Sequence, residues 1–205
     1  MTFGTFLIAA IILAITPGPG IAYVMARTAS GGRAVGLASC LGTGLGGMGH
    51  VAAAAFGFSA LIAQFSFAYD LIKFAGALYL AYLGIRILLR KPSKDSDQKV
   101  ASVNANRALG EGILVEVLNV KTALFFLAFL PQFTSAESPL VPQLFLLGSI
   151  CVFLNTFVDV LVVFGTNALM KPSPAREKRS RLVSRVSGLT LIALGALLAV
   201  SPKTA

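Results

Sequence analysis

The chain is dominated by six apolar stretches, each long enough to cross a lipid bilayer. A transmembrane helix needs about 20 mainly apolar residues to cross roughly 30 Å of hydrocarbon. The stretches that meet this length are residues 3–25, 34–62, 69–89, 108–130, 140–170 and 182–200. Only 12% of the residues are charged, whereas soluble domains carry about 25%. The sequence therefore predicts an all-α integral membrane protein with six transmembrane helices.

The basic residues predict how these helices are oriented. Fourteen of the 17 Lys and Arg residues lie in or beside the three connections on one side of a six-helix zigzag. Because cytoplasmic loops carry an excess of Lys and Arg, we expect these connections in the cytoplasm and both termini outside. The net charge of +9 is then a consequence of topology, so membrane lipids are expected partners and nucleic acid is not.

One long polar connection, residues 91–107, divides a single transmembrane domain, residues 1–205, into two halves. Residues 1–90 and 108–205 each contain three predicted spans, and an odd number of spans means that any repeat is inverted across the membrane. The third and sixth spans share a weak pattern, a basic residue followed three positions later by Gly76 or Gly188. We therefore expect two inverted three-helix repeats, which are typical of transporters with a midplane substrate site.

The first span is interrupted by Thr16, Pro17, Gly18, Pro19 and Gly20. Proline removes a backbone donor, and glycine permits an unwound path. Such an interruption is tolerated at membrane depth where it is buried in protein or lines a wet cavity. These five residues are therefore candidates for substrate binding through their freed backbone groups, the alternative being a purely structural kink.

The fourth span carries a second group of polar residues, Glu116, Asn119 and Lys121. Charged side chains within a span are costly and by default mark a pathway or a paired network. Lys121 either neutralises Glu116 or faces a cavity, where it and Asn119 would contact the substrate. We expect helices 1 and 4 to be broken at these two places.

His50 and Asp159 are the candidates for proton handling, together with Glu116. His50 is the only histidine of the chain, and an unperturbed imidazole titrates near pH 6.5. Asp159 follows Asn155 by four residues, so both lie on one face of span 5. If the halves are inverted copies, spans 2 and 5 correspond and bring His50 and Asp159 towards one cavity. The alternative for His50 is a hydrogen-bonded packing residue.

The glycine-rich second span matches a dinucleotide-binding pattern at Gly42, Gly44 and Gly47. No strand precedes it, so a Rossmann unit is excluded. Glycines at this spacing instead let helices approach closely, and they would permit a homodimer. We expect no cofactor and no metal site.

Several motifs, in this order, are similar to those of one family. They are Thr16-Pro17-Gly18-Pro19, Arg27-Thr28, Gly32-Arg33-x-x-Gly36-Leu37, His50, Gly76-Ala77-x-Tyr79-Leu80-x-Tyr82-Leu83-Gly84, Leu118-Asn119-x-Lys121 and Phe125-Phe126-Leu127-Ala128-Phe129-Leu130-Pro131-Gln132-Phe133. The chain resembles the lysine exporter (LysE/RhtB) family of bacterial amino-acid exporters over essentially its whole length. The family's second break usually reads Asn-Pro-Lys, and this chain has Val120 in place of the proline.

The resemblance implies six spans, an inner-membrane location and export of amino acids or related small metabolites, driven by the proton gradient. The expected function is a secondary transporter of homoserine-, threonine-, leucine- or lysine-type substrates working by alternating access. Export of a metal or other ion, or a channel, is the alternative. An enzyme is not expected, because the sequence has no H-E-x-x-H motif, no second histidine and no close carboxylate pair within a span.

Overall fold

The computed structural model describes residues 3–58, 68–89, 104–135 and 137–169, with scattered positions between 185 and 200. Every regular element in these ranges is helical, so the all-α prediction is confirmed for the described chain. The α-helices are α1 (Phe3–Ile15), α2 (Pro19–Ala52), α3 (Ala68–Leu89), α4 (Ala105–Val117), α5 (Val120–Leu124) and α6 (Leu140–Leu169). Two π-helical segments, Ala53–Phe58 and Phe125–Phe129, extend α2 and α5, and a 3-10 turn (Leu130–Phe133) follows the second.

Among the described residues, one straight helix is long and apolar enough to cross a membrane, Leu140–Thr166. Two bent helix pairs pass the same test of length and composition: Phe3–Ile15 with Pro19–Gly57, bent by 44°, and Ala105–Val117 with Val120–Phe133, bent by 47°. The third predicted span corresponds to α3. The described residues do not include most of the sixth predicted span, residues 91–103 of the predicted linker, or residues 59–62 and 170.

Helix α2 reverses direction at Gly32. This residue has φ 79° and ψ −176°, a backbone conformation that glycine adopts without the steric cost of a side chain. A Cβ on Gly20 would lie 3.8 Å from the Thr43 methyl group, whereas these residues would be about 34 Å apart in a straight helix. The two arms of α2 therefore form a tight helical hairpin, at the place where the sequence predicts the first connection between spans.

Helix α4 packs against both arms of this hairpin. Its first turns contact the first arm through Tyr23, whose hydroxyl donates to the Ala108 carbonyl at 2.7 Å. On the second arm, the backbones of α2 and α4 are in direct contact, since a Cβ on Gly112 would lie 2.9 Å from the Ser39 carbonyl oxygen. Gly42 packs in the same way against the Leu109 carbonyl. The glycines of α2 thus serve close helix packing within the chain.

Helix α4 begins at Ala105, three residues before the predicted start of the fourth span. Asn104 caps it, because its side-chain oxygen accepts a hydrogen bond from the Arg107 backbone N–H at 2.9 Å. Helix α1, the end of α2, the second π-helical segment and α6 share one apolar core. Its largest fully buried side chains are Phe6, Leu13, Phe125, Phe126, Phe129, Leu130 and Leu144.

Candidate functional site

The first interruption of the helical path lies between Ile15 and Pro19. The Thr16 hydroxyl donates to the Ile12 carbonyl at 2.6 Å and closes the end of α1. Helix α2 then begins after Gly18, which has an extended backbone and no side chain to cap the helix. The last carbonyls of α1 and the first N–H groups of α2 therefore lack intrahelical partners at this point.

The second interruption lies between Val117 and Val120, where α4 ends and α5 begins. Asn119 occupies the N-cap position of α5 with φ −78° and ψ 94°, and its side chain makes no capping hydrogen bond. The helical path is thus interrupted here although Val120 stands where the resembled family has proline. The two interruptions of the helical path thus lie at residues 16–18 and 118–119.

Lys121 connects the two interruptions. Its ammonium donates to the Thr16 carbonyl at 2.9 Å and to the Leu13 carbonyl at 3.3 Å, at the end of α1. The side chain is buried, and a Cβ on Gly18 would lie 3.1 Å from its Nζ atom. Gly18 therefore leaves the space that the ammonium occupies, and the positive charge lies at the negative end of a helix dipole.

Glu116 is held by two residues of the following turn. Its Oε1 accepts from the Thr122 hydroxyl at 2.7 Å and its Oε2 from the Asn119 amide at 3.0 Å. A Cβ on Gly20 would lie 2.9 Å from Oε2, so the missing side chain at position 20 makes room for the carboxylate. Because Lys121 bonds instead to α1, the direct Glu116–Lys121 ion pair that the sequence allowed is not formed.

Asp159 on α6 faces the second arm of α2. Its side chain is buried, and its Oδ2 accepts a hydrogen bond from the Thr43 hydroxyl at 3.0 Å. One turn earlier, the Asn155 amide donates to the Cys151 carbonyl at 3.0 Å. The pattern of Asn155 and Asp159 on one helix face, expected from the sequence, is present.

A cavity lies between α2, the α4–α5 interruption and α6. Its empty volume, counted together with the open solvent at its mouth, is about 440 Å³. Three ionisable side chains line it, the carboxylates of Glu116 and Asp159 and the ammonium of Lys121. The full lining is Gly18, Gly20, Ile21, Thr43, Gly44, Gly47, Glu116, Asn119, Lys121, Thr122, Phe126, Val152, Asn155, Thr156 and Asp159. Within the described ranges, no three His, Cys, Asp or Glu side chains are grouped so that they could hold a metal ion.

Most of the predicted site residues are brought together here, and four are not among the residues that line the cavity. Thr16, Pro17 and Pro19 lie at the first interruption, where Thr16 contributes its carbonyl to Lys121. The His50 Nε2 atom lies 2.8 Å from the backbone carbonyl oxygen of Glu116. His50 thus contacts the backbone of a cavity residue, while its ring packs 6.3 Å from that of Phe126.

The sequence does not mark two further threonines of the site, Thr43 and Thr122. Thr43 binds Asp159 and Thr122 binds Glu116, so each buried carboxylate has a threonine donor. The available signal was position, since Thr43 lies within the glycine-rich stretch and Thr122 directly follows Lys121.

A cluster of charged residues lies beyond the cavity, around Glu111 on α4. Glu111 forms ion pairs with Arg27 of α2 and with Arg107, the latter at 2.9 Å. The Tyr23 hydroxyl lies 3.3 Å from the same carboxylate. Glu111 precedes Glu116 by five residues, about 7.5 Å along the helix. The cluster therefore joins the first arm of α2 to the start of α4 on the side where basic residues are concentrated.

The sequence matches the family of LysE type translocators over residues 11–202. It is 28% identical over 199 residues to the homoserine/homoserine lactone efflux protein of Salmonella typhimurium, covering 95% of this chain and 94% of that protein. It is 27% identical over 199 residues to an uncharacterized membrane protein of Vibrio cholerae, covering 96% and 95%. No solved structure matches the chain.

Proposed function

The chain belongs to the family of LysE type translocators, and from that premise we propose that it is a secondary transporter exporting amino acids or related small metabolites across the cytoplasmic membrane. The observation that carries the proposal is the cavity lined by buried Glu116, Lys121 and Asp159. Ionisable groups within membrane segments are costly and mark substrate or ion pathways. The name of the Salmonella relative, an efflux protein for homoserine and its lactone, supports the substrate class.

Substrate binds at the two helix interruptions in this proposal. The uncapped start of α2 at Gly18 and Gly20 offers backbone N–H groups to a carboxylate. Lys121 has three ammonium hydrogens and donates two of them to α1, so one remains for a ligand. Asn119, Glu116 and Asp159 provide acceptors in the lining of the same cavity. Such a set of donors and acceptors matches a zwitterionic amino acid.

Alternating access requires that the cavity close on one side at a time. The Glu111 cluster supports closure on the side that the basic residues predict to be cytoplasmic, because it ties α2 to α4 beyond the cavity. In the proposed cycle, these ion pairs open to admit substrate from the cytoplasm and re-form before its release outside. The two halves of the chain, as inverted repeats, rock against each other in this motion.

Protons drive export in the proposal, and Asp159 carries the proton, with Glu116 and His50 in supporting roles. Asp159 is buried beside Thr43 and faces the same cavity as Lys121, so its protonation and substrate binding share one space. Substrate and proton then occupy the cavity in alternation, as antiport demands.

The variant Asp159→Asn tests the coupling role. It keeps the shape of the side chain and removes its charge, so proton-driven uptake of L-homoserine into inverted membrane vesicles is expected to be abolished while the protein still inserts. Glu137→Gln is the matched control, because Glu137 is exposed in the turn before α6. Undiminished uptake by a well-expressed Asp159→Asn variant would remove Asp159 from the coupling role.

The substrate class is tested by profiling amino acids inside and outside cells with and without overexpression of the protein. The proposal predicts a raised ratio of extracellular to intracellular concentration for one amino acid or a small related group. An unchanged ratio for every amino acid and for homoserine lactone would contradict the proposal.

A further inference from the structure

The Asn119 side chain carries a polar atom that the fold does not use. Its amide nitrogen donates to Glu116 Oε2 at 3.0 Å, and the residue is 4% exposed. In the part of the chain that the structure describes, its Oδ1 atom is buried and has no hydrogen-bond partner. Buried polar atoms without a partner are rare, because desolvation without a compensating bond costs free energy.

The orientation of this amide is fixed by its neighbour. While the Glu116 carboxylate is ionised it only accepts hydrogen bonds, so the amide then presents its nitrogen to Glu116. The opposite orientation would place two acceptor oxygens face to face. Oδ1 is therefore held away from Glu116 by the bond that the nitrogen makes.

Local backbone geometry does not account for Oδ1 either. Asn119 is the N-cap residue of α5, where an asparagine oxygen ordinarily accepts a bond from a backbone N–H of the first turn. Here no such bond is made. Oδ1 therefore remains an unused acceptor of a residue that lines the cavity.

The chemistry around the cavity indicates which donor this oxygen receives. The two charged acceptors of the lining are Glu116 and Asp159, and Glu116 already accepts one bond at each oxygen. Asp159 adds a second carboxylate to the same lining, and the single ammonium of Lys121 offsets only one of the two. A group that is both positively charged and rich in N–H donors fits this environment, and a primary ammonium is such a group.

We propose that Asn119 Oδ1 accepts a hydrogen bond from the amino group of the exported molecule and so selects substrates that carry one. This inference rests on the proposed function and adds the part of the substrate that is recognised. The Asn119 amide then has two separate roles, since its nitrogen positions Glu116 and its oxygen binds the amino group of the ligand. Removing the amino group from the ligand then leaves Oδ1 unpaired in the bound state.

The test is competition in proteoliposomes that contain the purified protein and are preloaded with L-homoserine. Counterflow of radiolabelled L-homoserine is inhibited with unlabelled L-homoserine or with 4-hydroxybutyrate, which has hydrogen in place of the amino group. The half-inhibiting concentration of 4-hydroxybutyrate divided by that of L-homoserine measures selection for the amino group. We expect a ratio of at least about 100 for the unmodified protein, since a site that hydrogen-bonds an N–H strongly rejects the analogue that lacks it.

Two variants separate recognition from structure. Asn119→Leu has a similar shape without the acceptor and is expected to lower the ratio about tenfold, the effect of losing one such bond. Thr122→Val removes the other side-chain bond to Glu116, and it is expected to slow transport while keeping the ratio.

Three outcomes are decisive. Equal inhibition by both compounds in the unmodified protein overturns the inference, even if Asn119→Leu does not fold. A ratio unchanged in a folded Asn119→Leu variant also overturns it, because selection would then lie elsewhere. If the unmodified protein shows no homoserine counterflow at all, the homoserine-type substrate of the proposed function fails and the inference fails with it.

Discussion

Lys121 is buried within a membrane segment, and its surroundings explain how the fold tolerates it. An ammonium loses its hydration when it is buried, and it is tolerated only when hydrogen bonds and opposite charge compensate. The carbonyls of Leu13 and Thr16 supply two hydrogen bonds at the negative end of α1, and the carboxylates of Glu116 and Asp159 line the same cavity. Lys121 is therefore both a structural tie between the two interruptions and part of the site.

Lys121→Met tests this double role. Methionine keeps an apolar stem of similar length and removes the charge, so the end of α1 loses its donors. We expect a loss of stability of about 1–3 kcal/mol and a fall in homoserine export of at least about tenfold. Thermal unfolding in detergent and the initial export rate measure the two effects.

Val120→Met is the control for that variant, because it places the same side chain one position away on a residue that is 47% exposed. Its stability and export are expected to stay close to those of the unmodified protein. If Lys121→Met behaves like this control in both measurements, Lys121 has neither role.

The charged residues of the site could be predicted from the sequence, and their hydrogen-bond partners could not. Glu116, Lys121 and Asp159 stand out because charges in apolar stretches are few. Thr43 does not stand out, because a threonine within a helix often bonds only to its own backbone. Thr28 does this, with its hydroxyl donating to the Val24 carbonyl at 2.7 Å. The Thr43 hydroxyl lies 3.0 Å from the Cys40 carbonyl oxygen as well as 3.0 Å from Asp159 Oδ2, and the second contact depends on the helix packed against it.

At the scale of the elements, the close packing of α2 against α4 determines where the site residues lie. Gly42 and Gly112 allow the two backbones to touch, and the continuation of α4 carries Glu116, Asn119 and Lys121. The separation of these helices therefore fixes the distance from the site residues on α4–α5 to Gly18 and Gly20.

Gly42→Ala is expected to disturb this packing. The added Cβ would overlap the Leu109 carbonyl, and backbone atoms cannot move aside as a flexible side chain can. Overpacking of this kind costs about 1–3 kcal/mol, and displacement of α4 should lower export as well. Thermal unfolding in detergent and export rates are the measurements.

Gly110→Ala is the matched control on α4, since a Cβ there meets nothing within 4 Å. It is expected to leave export unchanged and to raise stability by up to about 1 kcal/mol through higher helix propensity. Equal effects of the two substitutions would contradict the assigned packing role of Gly42.

Hydrophobic stretches predict that helices exist but define their ends poorly. The hydropathy pattern predicts a connection at residues 26–33, between the first two spans, yet the chain stays helical up to a single reversing residue, Gly32. Conversely, α4 begins three residues before the predicted fourth span, because Asn104 caps it within the stretch predicted to be a linker. The backbone conformation of Gly32 sets the first of these ends, and the Asn104 hydrogen bond sets the second. Hydropathy reports neither.

At the scale of the molecule, the site is assembled from both halves of the chain. Lys121 of the second half binds the end of α1, Asp159 binds Thr43, and the Glu116 backbone contacts His50. The Arg27–Glu111 ion pair crosses between the halves as well. A movement of one half relative to the other would therefore change all these contacts together, which is what a transporter with a site between two repeats requires.

Counterflow of radiolabelled L-homoserine tests the central claim, that the chain is an amino-acid exporter with a saturable site. Proteoliposomes holding the purified protein are preloaded with unlabelled L-homoserine and diluted into a trace of the labelled compound. The account predicts transient accumulation of label inside above its equilibrium level, with a rate that saturates as the external concentration rises. Label entry no greater than in protein-free liposomes, or entry without transient accumulation, would contradict it.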